Sequence, residues 1–450
     1  MCVSGPKRSL QTNAARSGAK PARRLQYDVV NIQKHPDLAI PKEFRTFERK
    51  TPMQVRTIAF YNQQYPYGGG EAVTLNLAQE FRRLGLRVLL YTGRVLPEKL
   101  TPEDEQTLEF RELPHPGNFR DPQNAEFLCT SLRNEAVDCI IVQGITNFPF
   151  AQVHETTPSK VVFCLHNKPF WEIEFMRKQC AADISNPTLG RKLEFLLLRK
   201  PVYLFTSKLR RRTLDLYRRI LQSVDKCVLL CEEYRRDFEA AISDRYGPEC
   251  VRDKTAAILN PLRPVADGPM PEKERCILYV GRLVRAHKRV DRLLTIWKKI
   301  EPRHPDWQLL IIGEGEEREK LEQKAQRLGL RRLRFLGYRS DVASFYAKAR
   351  FVCLTSNFEG LPMCLMEGQQ YGAIPVSFGS YAGIREITGN GAYGIVVPPF
   401  DLREYADQLG HALEDSAWQE TMSRENRAAA RRYDPRAIGA EWLRLFDELQ

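Results

Sequence analysis

Short apolar runs alternate with longer stretches of helical periodicity from residue 57 onward. The runs are apolar at nearly every position, which is typical of parallel strands buried on both faces of a sheet. A first series of runs occupies residues 57–62, 87–92, 138–144, 160–166 and 226–231. A second series occupies residues 276–281, 308–313, 334–338, 351–356, 374–378 and 394–397. The stretches between the runs predict crossover helices, for example at residues 290–300, 316–328 and 402–413.

A proline-containing break at residues 260–264, followed by a stretch rich in glycine, proline and charge at 267–274, separates the two series. We therefore predict an α/β protein with two doubly wound, Rossmann-like domains at residues 55–262 and 263–430. A final helical segment at 431–450 could pack back on the first domain. Because open parallel sheets bind ligands at the carboxyl ends of their strands, the cleft between the domains is the expected site.

The chain of 450 residues has 69 basic against 56 acidic residues, a formal net charge of +13. Residues 1–54 hold eleven of the basic residues and four of the acidic ones, without the apolar periodicity of the rest. We predict a basic, disordered extension there. Met53 directly precedes the first strand, so residues 1–52 are either a dispensable extension or the product of a misplaced start. The sequence has neither a run of about eighteen apolar residues, as a membrane span requires, nor the apolar core of a secretory signal at its start.

The eleven cysteines show no C-x-x-C spacing and do not cluster with the seven histidines. Several cysteines lie inside the apolar runs. We interpret them as small buried side chains in a reducing compartment rather than as disulfides or zinc ligands. The sequence therefore predicts no structural metal.

The segment at residues 357–368 directly follows the run at 351–356 and is the most informative about chemistry. Pro362 suits the first position of a helix, which would leave Glu359 in the preceding loop and Glu367 about one and a half turns into the helix. Free amides of such a first turn bind anions, so a diphosphate could lie there between two carboxylates that accept hydrogen bonds from sugar hydroxyls. Alternatively, Glu359 only favours the helix dipole and Glu367 is a surface residue.

Two further segments suit phosphate binding. Arg282 and Lys288 follow the first strand of the second series, where two cations could clamp a diphosphate and stabilise it as it departs. The alternative is a solvated basic loop. Three glycines at residues 68–70 follow the first strand of the first series and precede a helical stretch at 72–84. They would allow close backbone approach to a phosphate or sugar, or would form only a tight corner.

Together these segments resemble the retaining glycosyltransferases of family GT4, which have the GT-B fold. Glu359 and Glu367, eight residues apart, resemble the E-x7-E motif of that family. Further resembling segments lie at residues 68–71, 281–288, 313–315, 335–338, 372–376, 383–387 and 394–398. The resemblance extends over roughly residues 55–415 and is most specific in the second half. Cys231 departs from the family, which usually has serine there.

The resemblance implies roles for individual residues. They are Glu359 and His166 as catalytic residues; Arg282, Lys288, Gly69 and Gly70 for the donor diphosphate; Glu359, Gly360 and Leu361 for the donor sugar; Glu367 for the ribose; and Gly337 and Tyr338 for the base. Without the family, His166 would be interpreted as a capping residue after a strand. Neither a metal nor another cofactor is expected, and the sequence contains no Asp-x-Asp motif.

The resemblance also implies an activity. The N-terminal domain would face the acceptor, and the C-terminal domain would bind the nucleotide sugar. The enzyme would transfer a hexose-type sugar from a UDP- or GDP-sugar, with retention and without a metal, to a glycan or lipid-linked acceptor. We expect a role in cell-surface polysaccharide or lipopolysaccharide biosynthesis, in the cytoplasm or peripherally on the inner face of the membrane.

Residues 191–219 combine many basic residues with the apolar stretches 193–198 and 202–205. This pattern suits the surface of an anionic bilayer, or else an amphipathic helix that packs on its own domain with a solvated basic face. Two other functions stay open. One is a nucleotide-sugar epimerase of the same fold. The less favoured one is a basic nucleic-acid-binding protein, for which the sequence offers no helix-turn-helix, RNP or zinc spacing.

Overall fold

The computed structural model describes residues 55–449, with gaps at residues 67, 119–120, 179–192, 206, 266–267 and 269. The predicted basic extension at 1–54 and the first part of the basic segment at 191–219 lie outside the described residues. Among the described residues, no helix is long and apolar enough to cross a membrane.

The first half of the chain forms a parallel α/β unit. Its strands are β1 (Thr57–Asn62), β2 (Arg87–Thr92), β3 (Glu109–Glu112), β4 (Cys139–Gln143), β5 (Lys160–Leu165), β6 (Lys226–Leu229) and β7 (Thr255–Ala257). They pair in parallel in the order β3-β2-β1-β4-β5-β6-β7. The accompanying helices are α1 (Gly69–Arg83), α2 (Pro102–Thr107), α3 (Pro122–Asn134), α4 (Phe150–Thr156), α5 (Trp171–Lys178), α6 (Lys200–Phe205), α7 (Lys208–Gln222) and α8 (Glu232–Tyr246).

The second half repeats the architecture. Its strands are β8 (Cys276–Val280), β9 (Gln308–Ile312), β10 (Leu333–Gly337), β11 (Phe351–Cys353), β12 (Ile374–Phe378) and β13 (Ile395–Val397), which pair in parallel in the order β10-β9-β8-β11-β12-β13. Its helices are α9 (Val290–Ile300), α10 (Arg318–Leu328), α11 (Ala343–Lys348), α12 (Met363–Gln370), α13 (Ala382–Thr388), α14 (Leu402–Glu414), α15 (Ser416–Ala429) and α16 (Pro435–Glu448). The predicted α/β fold class with two doubly wound units is confirmed.

The sequence analysis predicted neither β3 nor β7, because neither is an apolar run. These two strands lie at the two edges of the first sheet. The sequence of β3 is EFRE, and its side chains are half-buried or exposed. An edge strand is covered less completely than a central one, so it lacks the continuous apolar pattern by which the central strands were recognised. Strand β7 has only three residues, which is too short for a pattern.

In each sheet the strand order reverses beside the first strand. Strand β1 lies between β2 and β4, and β8 lies between β9 and β11. The loops that follow β1 and β8 therefore open into the crevices where such sheets bind ligands. The glycines at 68–70 follow β1, while Arg282 and Lys288 follow β8, so the topology places both predicted phosphate segments at a crevice.

The last helix, α16, packs on α1 of the first unit. The ring of Phe81 lies 6.2 Å from that of Trp442 and 5.6 Å from that of Phe446, centroid to centroid. Gly439 permits this close approach, because a Cβ there would lie 2.6 Å from Cγ of Glu80. The chain thus leaves the first unit once and returns to it after the second sheet.

Candidate active site

The carboxylate of Glu359 is at the centre of the candidate site, in the loop between β11 and α12. Only 5 % of the residue is exposed. One carboxylate oxygen lies 2.7 Å from Nζ of Lys288 and accepts a hydrogen bond of 2.6 Å from the Ser356 hydroxyl. The other lies 3.4 Å from Nε2 of His287. The pair predicted from separate segments, Glu359 and Lys288, is therefore in direct contact.

Burial by itself would raise the pKa of Glu359, but the charges and hydrogen bonds of Lys288 and His287 outweigh it and hold that pKa well below its ordinary value. The carboxylate is consequently ionised throughout the neutral range. It can stabilise positive charge, but it has no proton to donate.

The helix after this loop begins one residue later than the sequence predicted. Pro362 has extended backbone angles (φ −65°, ψ 109°) and is the N-cap, so α12 starts at Met363. Pro362 suits the N-cap as well as the first helical position, because its φ is fixed and it has no N–H that would be left without a partner. Leu361 is buried beside it.

Glu367 lies in α12 and is partly buried rather than a surface residue. Its carboxylate accepts a hydrogen bond of 2.8 Å from the hydroxyl of Tyr346. Burial raises the pKa of Glu367, and the hydrogen bond from Tyr346 opposes that rise. Tyr346 therefore fixes the orientation of this second carboxylate.

Residues of the two units meet at the predicted diphosphate position. Gly69 and Gly70 form the first turn of α1, which begins three residues earlier than predicted. A Cβ at Gly69 would lie 3.8 Å from Cγ of Met363, so this turn faces the start of α12. Burial raises the pKa of Glu71, while backbone hydrogen bonds and the positive charge of Arg282 lower it. Arg282, an exposed residue of the second unit, is thus close enough to act on a carboxylate of the first.

His166 directly follows β5 and lies against the Glu359 loop. A Cβ at Gly360 would be only 2.5 Å from the carbonyl oxygen of His166 and 2.9 Å from Cα of Asn167. The ring nitrogen Nε2 of His166 is hydrogen-bonded to the side-chain oxygen of Gln143. Burial lowers the pKa of His166 to about 4, so the imidazole is neutral at neutral pH. The structure therefore brings His166 and Glu359 to one interface.

The predicted base-binding residues lie two strands away from β8, at the end of β10. Gly337 has a positive φ of 72°, and its carbonyl accepts a hydrogen bond of 2.9 Å from the Gly313 amide. The side chain of Tyr338 is 77 % exposed, which leaves its ring face open. The structure places these residues apart from the Glu359 cluster, with β9 between their strand and β8.

Sequence reasoning missed several residues that hold Glu359 in place. His287 precedes Lys288 and stacks on Phe358 at 4.7 Å between ring centroids, so its position in the motif was an available signal. Tyr234 gave no such signal, because it lies in α8 of the first unit. Its hydroxyl donates to the carbonyl of Glu359 (2.8 Å) and accepts from the amide of Gly383 (3.2 Å).

The structure is similar to solved proteins of one architecture. HepE of Anabaena, solved with UDP and glucose, superposes with a TM-score of 0.64 at 18 % identity over 87 % of this chain and 100 % of that one. WaaG, a glycosyltransferase involved in lipopolysaccharide biosynthesis, superposes with a TM-score of 0.61 at 17 % identity over 86 % of this chain and 99 % of that one. Two parallel sheets with a crevice at their carboxyl ends define a GT-B fold.

Two family models match the sequence. "Glycosyl transferases group 1" matches residues 265–432, and "Glycosyltransferase Family 4" matches residues 67–245. Between them they cover most of the chain, which belongs to the GT4-type glycosyltransferases. The resemblance inferred from the motifs is confirmed. These matches do not favour the epimerase alternative.

The similar sequences include bacterial glycosyltransferases. The α-1,4-N-acetyl-D-galactosaminyltransferase of Campylobacter jejuni that acts on an undecaprenol-diphosphate-linked glycan is 28 % identical over 40 % of this chain and 50 % of its own length. The amylovoran biosynthesis glycosyltransferase AmsD of Erwinia amylovora is 28 % identical over 39 % of this chain and 49 % of its own. The chain thus spans about half the length of the curated relatives it matches.

Proposed function

We propose that the protein transfers a hexose-type sugar from a nucleoside diphosphate to a hydroxyl of a glycan or lipid-linked acceptor, with retention and without a metal. The observation that carries this proposal is the buried, ionised carboxylate of Glu359 in contact with Lys288 at the crevice. The relatives named for an undecaprenol-linked glycan and for amylovoran biosynthesis support the acceptor class and a role in polysaccharide or lipopolysaccharide assembly.

The Glu359–Lys288 pair matches the charges of the reaction. As the bond from the anomeric carbon to the diphosphate oxygen breaks, positive charge grows on the carbon and negative charge on the oxygen. Adjacent negative and positive side chains stabilise that separation without reorganising when it occurs. The acceptor oxygen then forms the new bond to the carbon, and its proton passes to the departing diphosphate. A neutral His166 on the facing unit would contact the sugar from the acceptor side.

The other residues would bind the donor. Arg282 and the first turn of α1, with Gly69 and Gly70, would bind the diphosphate together with Lys288, and Glu367 would accept hydrogen bonds from the ribose. Amides at the start of α12 and the main chain of Gly360 and Leu361 would contact the sugar and phosphate. Gly337 and the exposed ring of Tyr338 would lie against the base. HepE, solved with UDP and glucose, supports a UDP-sugar as the first donor to test.

A thermal-shift screen of UDP-, GDP- and ADP-sugars tests the donor class. We expect sugars of one base to raise the melting temperature by several degrees, since a ligand at about one hundred times its Kd adds about 2.7 kcal/mol to the stability of the folded state. Arg282→Ala should reduce this rise in melting temperature, because it removes a proposed contact to the diphosphate. Arg403→Ala, which also replaces an exposed arginine, should not reduce it. The proposal fails if no nucleotide sugar stabilises the protein.

We expect sugar transfer to be independent of metal ions. If Lys288, Arg282 and the helix start neutralise the diphosphate, transfer should proceed at an unchanged rate in excess EDTA. The measurement is sugar transfer from a labelled donor, with protein dialysed against chelator compared to the same protein resupplied with Mg²⁺ or Mn²⁺. A strict requirement for Mn²⁺ would contradict the proposed diphosphate site.

We also propose that the protein binds the cytoplasmic face of an anionic membrane through the segment at 193–219. Helix α7 buries one face, including Leu214 and Tyr217, in the first unit, as one of the two interpretations expected. Its opposite face exposes basic residues, among them Arg211 and Arg212. The neighbouring turn at Phe195–Arg199 exposes apolar side chains, with Leu197 at 68 % and Leu198 at 65 %. Exposed leucines beside a basic helix suit an anionic bilayer.

Vesicle sedimentation tests this membrane contact. Leu197→Ser with Leu198→Ser should weaken binding at least about tenfold, because each buried leucine contributes roughly 1.5–3 kcal/mol. Arg212→Glu should weaken binding to anionic vesicles at low salt, whereas the matched Arg403→Glu, on the other unit and 86 % exposed, should not. Equal binding of the unaltered protein to neutral and anionic vesicles at low salt would contradict the electrostatic contribution.

A further inference from the structure

Gln143, the last residue of β4, interrupts the apolar pattern of a central strand. Alternate residues of β4 share one face of the sheet, and on that face Cys139 and Ile141 are fully buried apolar side chains. The next position on the same face is Gln143, of which only 8 % is exposed. A buried amide at such a position costs free energy unless its polar atoms find partners. None of the roles proposed above involves this residue.

The strand register places Gln143 beside His166. Gln143 is the register partner of Cys164 in β5, and His166 is two residues beyond Cys164, the spacing at which an extended chain returns to the same face. The side-chain oxygen of Gln143 is hydrogen-bonded to Nε2 of His166. Since a carbonyl oxygen can only accept a hydrogen bond, Nε2 carries the proton. The lone pair of the neutral imidazole is therefore on Nδ1.

The turn after β4 fixes the orientation of the imidazole ring. Gly144 has a positive φ of 71°, and its amide donates a hydrogen bond of 2.8 Å to the carbonyl of Cys164. A Cβ at Gly144 would lie 3.8 Å from Cδ2 of His166, so this edge of the ring packs on the turn. Cδ2 and Nε2 thus both face the end of β4, and Nδ1 is on the opposite edge. In the part of the chain that the structure describes, Nδ1 has no hydrogen-bond partner.

The other end of the Gln143 side chain is enclosed. Its amide nitrogen is buried, and no described residue accepts a hydrogen bond from it. Gln143 and His166 both line a cavity of about 10 Å³ that apolar residues of α1 and α16 complete. That volume suits about one water molecule and is too small for a sugar. An unsatisfied buried amide does not stabilise the fold, so the contact of its oxygen with His166 is the better explanation of this residue.

The contact orients the ring without giving it a charge. A carboxylate in place of the Gln143 amide would favour the imidazolium form and raise the pKa of His166. Burial instead lowers that pKa to about 4, with no contribution from a charged group among the described residues. The titratable side chains of the surrounding elements are those of Cys164, Tyr234 and Glu359. Burial raises the pKa of the first two, and Lys288 balances the charge of the third.

We propose that Gln143 is a positioning residue that holds His166 as the Nε2–H tautomer, so that Nδ1 accepts a hydrogen bond from a hydroxyl of the transferred sugar. This inference rests on the proposed transferase function and deepens it, because it assigns how the ring of His166 is held. His166 follows the carboxyl end of β5, where the crevice opens, and its carbonyl oxygen lies against Gly360 of the Glu359 loop. The sugar at that loop thus meets a fixed acceptor.

The tautomer is measured by NMR on the full chain labelled with ¹⁵N-histidine. Two-bond ¹H–¹⁵N correlation spectra distinguish a protonated ring nitrogen from an unprotonated one, and the spectrum of His166→Asn identifies the signals of His166. We expect a protonated Nε2 and an unprotonated Nδ1 throughout the neutral pH range. In Gln143→Leu we expect a mixture of both tautomers, because Nε2 has lost its acceptor. The Nδ1–H tautomer in the unaltered protein would overturn the proposal.

Steady-state kinetics test whether this orientation matters for transfer. Gln143→Leu should lower kcat about tenfold and change KM for the donor by less than about twofold. Gln143→Glu should add a pH dependence: its carboxylate raises the pKa of His166, so kcat should fall as the pH falls and Nδ1 becomes protonated. The matched control is Gln123→Leu, because Gln123 makes the same contact to His115 at an exposed position. It should turn over as the unaltered protein does.

A merely structural role of Gln143 predicts a different pattern. Gln143→Leu would then lower the melting temperature and the affinity for the nucleoside diphosphate together with kcat. That pattern, or an unchanged kcat, would overturn the positioning role. If the unaltered protein transfers sugar from no nucleotide sugar, the proposed function is rejected, and this inference with it. Sugar transfer by a protein whose His166 has the wrong tautomer would reject this inference alone.

Discussion

Replacing Glu359 by glutamine is expected to lower kcat by about 10²- to 10³-fold, with a much smaller change in donor affinity. Glutamine keeps the size of the side chain and removes its charge. The carboxylate is ionised in the free protein and lies 2.7 Å from Lys288, so the substitution removes negative charge where the proposed mechanism places the positive anomeric carbon. That loss affects the transition state more than the bound donor.

We would measure kcat and KM by steady-state kinetics with the donor that the thermal-shift screen selects. Glu367→Gln is the matched control, because it also neutralises a carboxylate of the same motif. As the proposed ribose contact, Glu367 should affect KM more than kcat, so this variant should raise KM more than it lowers kcat. Lys288→Ala and Arg282→Ala should each lose at least about 10²-fold in rate. A Glu359→Gln protein that turns over at nearly the original rate would remove Glu359 from the mechanism.

The second large effect is expected from Gly383→Ala, a substitution outside the charged cluster. A Cβ at Gly383 would overlap the carbonyl oxygen of Gly360 and lie 3.0 Å from its carbonyl carbon. Both groups are backbone, so no side-chain rotation relieves the overlap, and the Glu359 loop must move. Since displacement of a catalytic group by about 1 Å can cost about 10²-fold in rate, we expect at least that loss of kcat together with a lower melting temperature.

Gly117→Ala is the control for Gly383→Ala, because a Cβ there meets nothing within 4 Å. It should leave both turnover and melting temperature unchanged. Tyr234→Phe gives a finer measure of the same loop, since it removes only the hydroxyl that bonds to Glu359 and Gly383. If Gly383→Ala turned over normally, the packing of this loop would not control the position of the carboxylate.

The central strands could be predicted from the sequence because both of their faces are buried. A strand such as β1, with all six residues buried, is apolar without interruption and is recognised by that alone. The edge strands β3 and β7 could not be recognised, because partial exposure and short length remove the pattern. The predicted helix starts differ from the observed ones by one residue at Pro362 and by three residues at Gly69. At both places the residue, a proline or a glycine, suits the cap as well as the first turn of a helix.

The candidate site was predictable to the extent that its residues are local in sequence. Glu359 and Glu367 share a single motif, and the position of Lys288 after β8 follows from strand topology. The contacts of Tyr234 with Glu359 and Gly383 join distant parts of the chain, so no sequence pattern indicates them. The sequence also does not show why residues 360 and 383 are glycines. At each position the backbone of a neighbouring segment leaves no room for a side chain.

The return of the chain to its first unit has a consequence for how such proteins diversify. Leu262, where the chain leaves that unit, donates its amide hydrogen bond to the carbonyl of Tyr433, where the chain comes back, at 2.9 Å. The whole second sheet is thus an insertion whose two ends touch. An exchange of everything between these two residues for the corresponding part of a related protein would preserve the junction and the packing of α16 on α1. If the second unit binds the donor as proposed, an exchange of this kind would change donor preference and leave acceptor preference as it was.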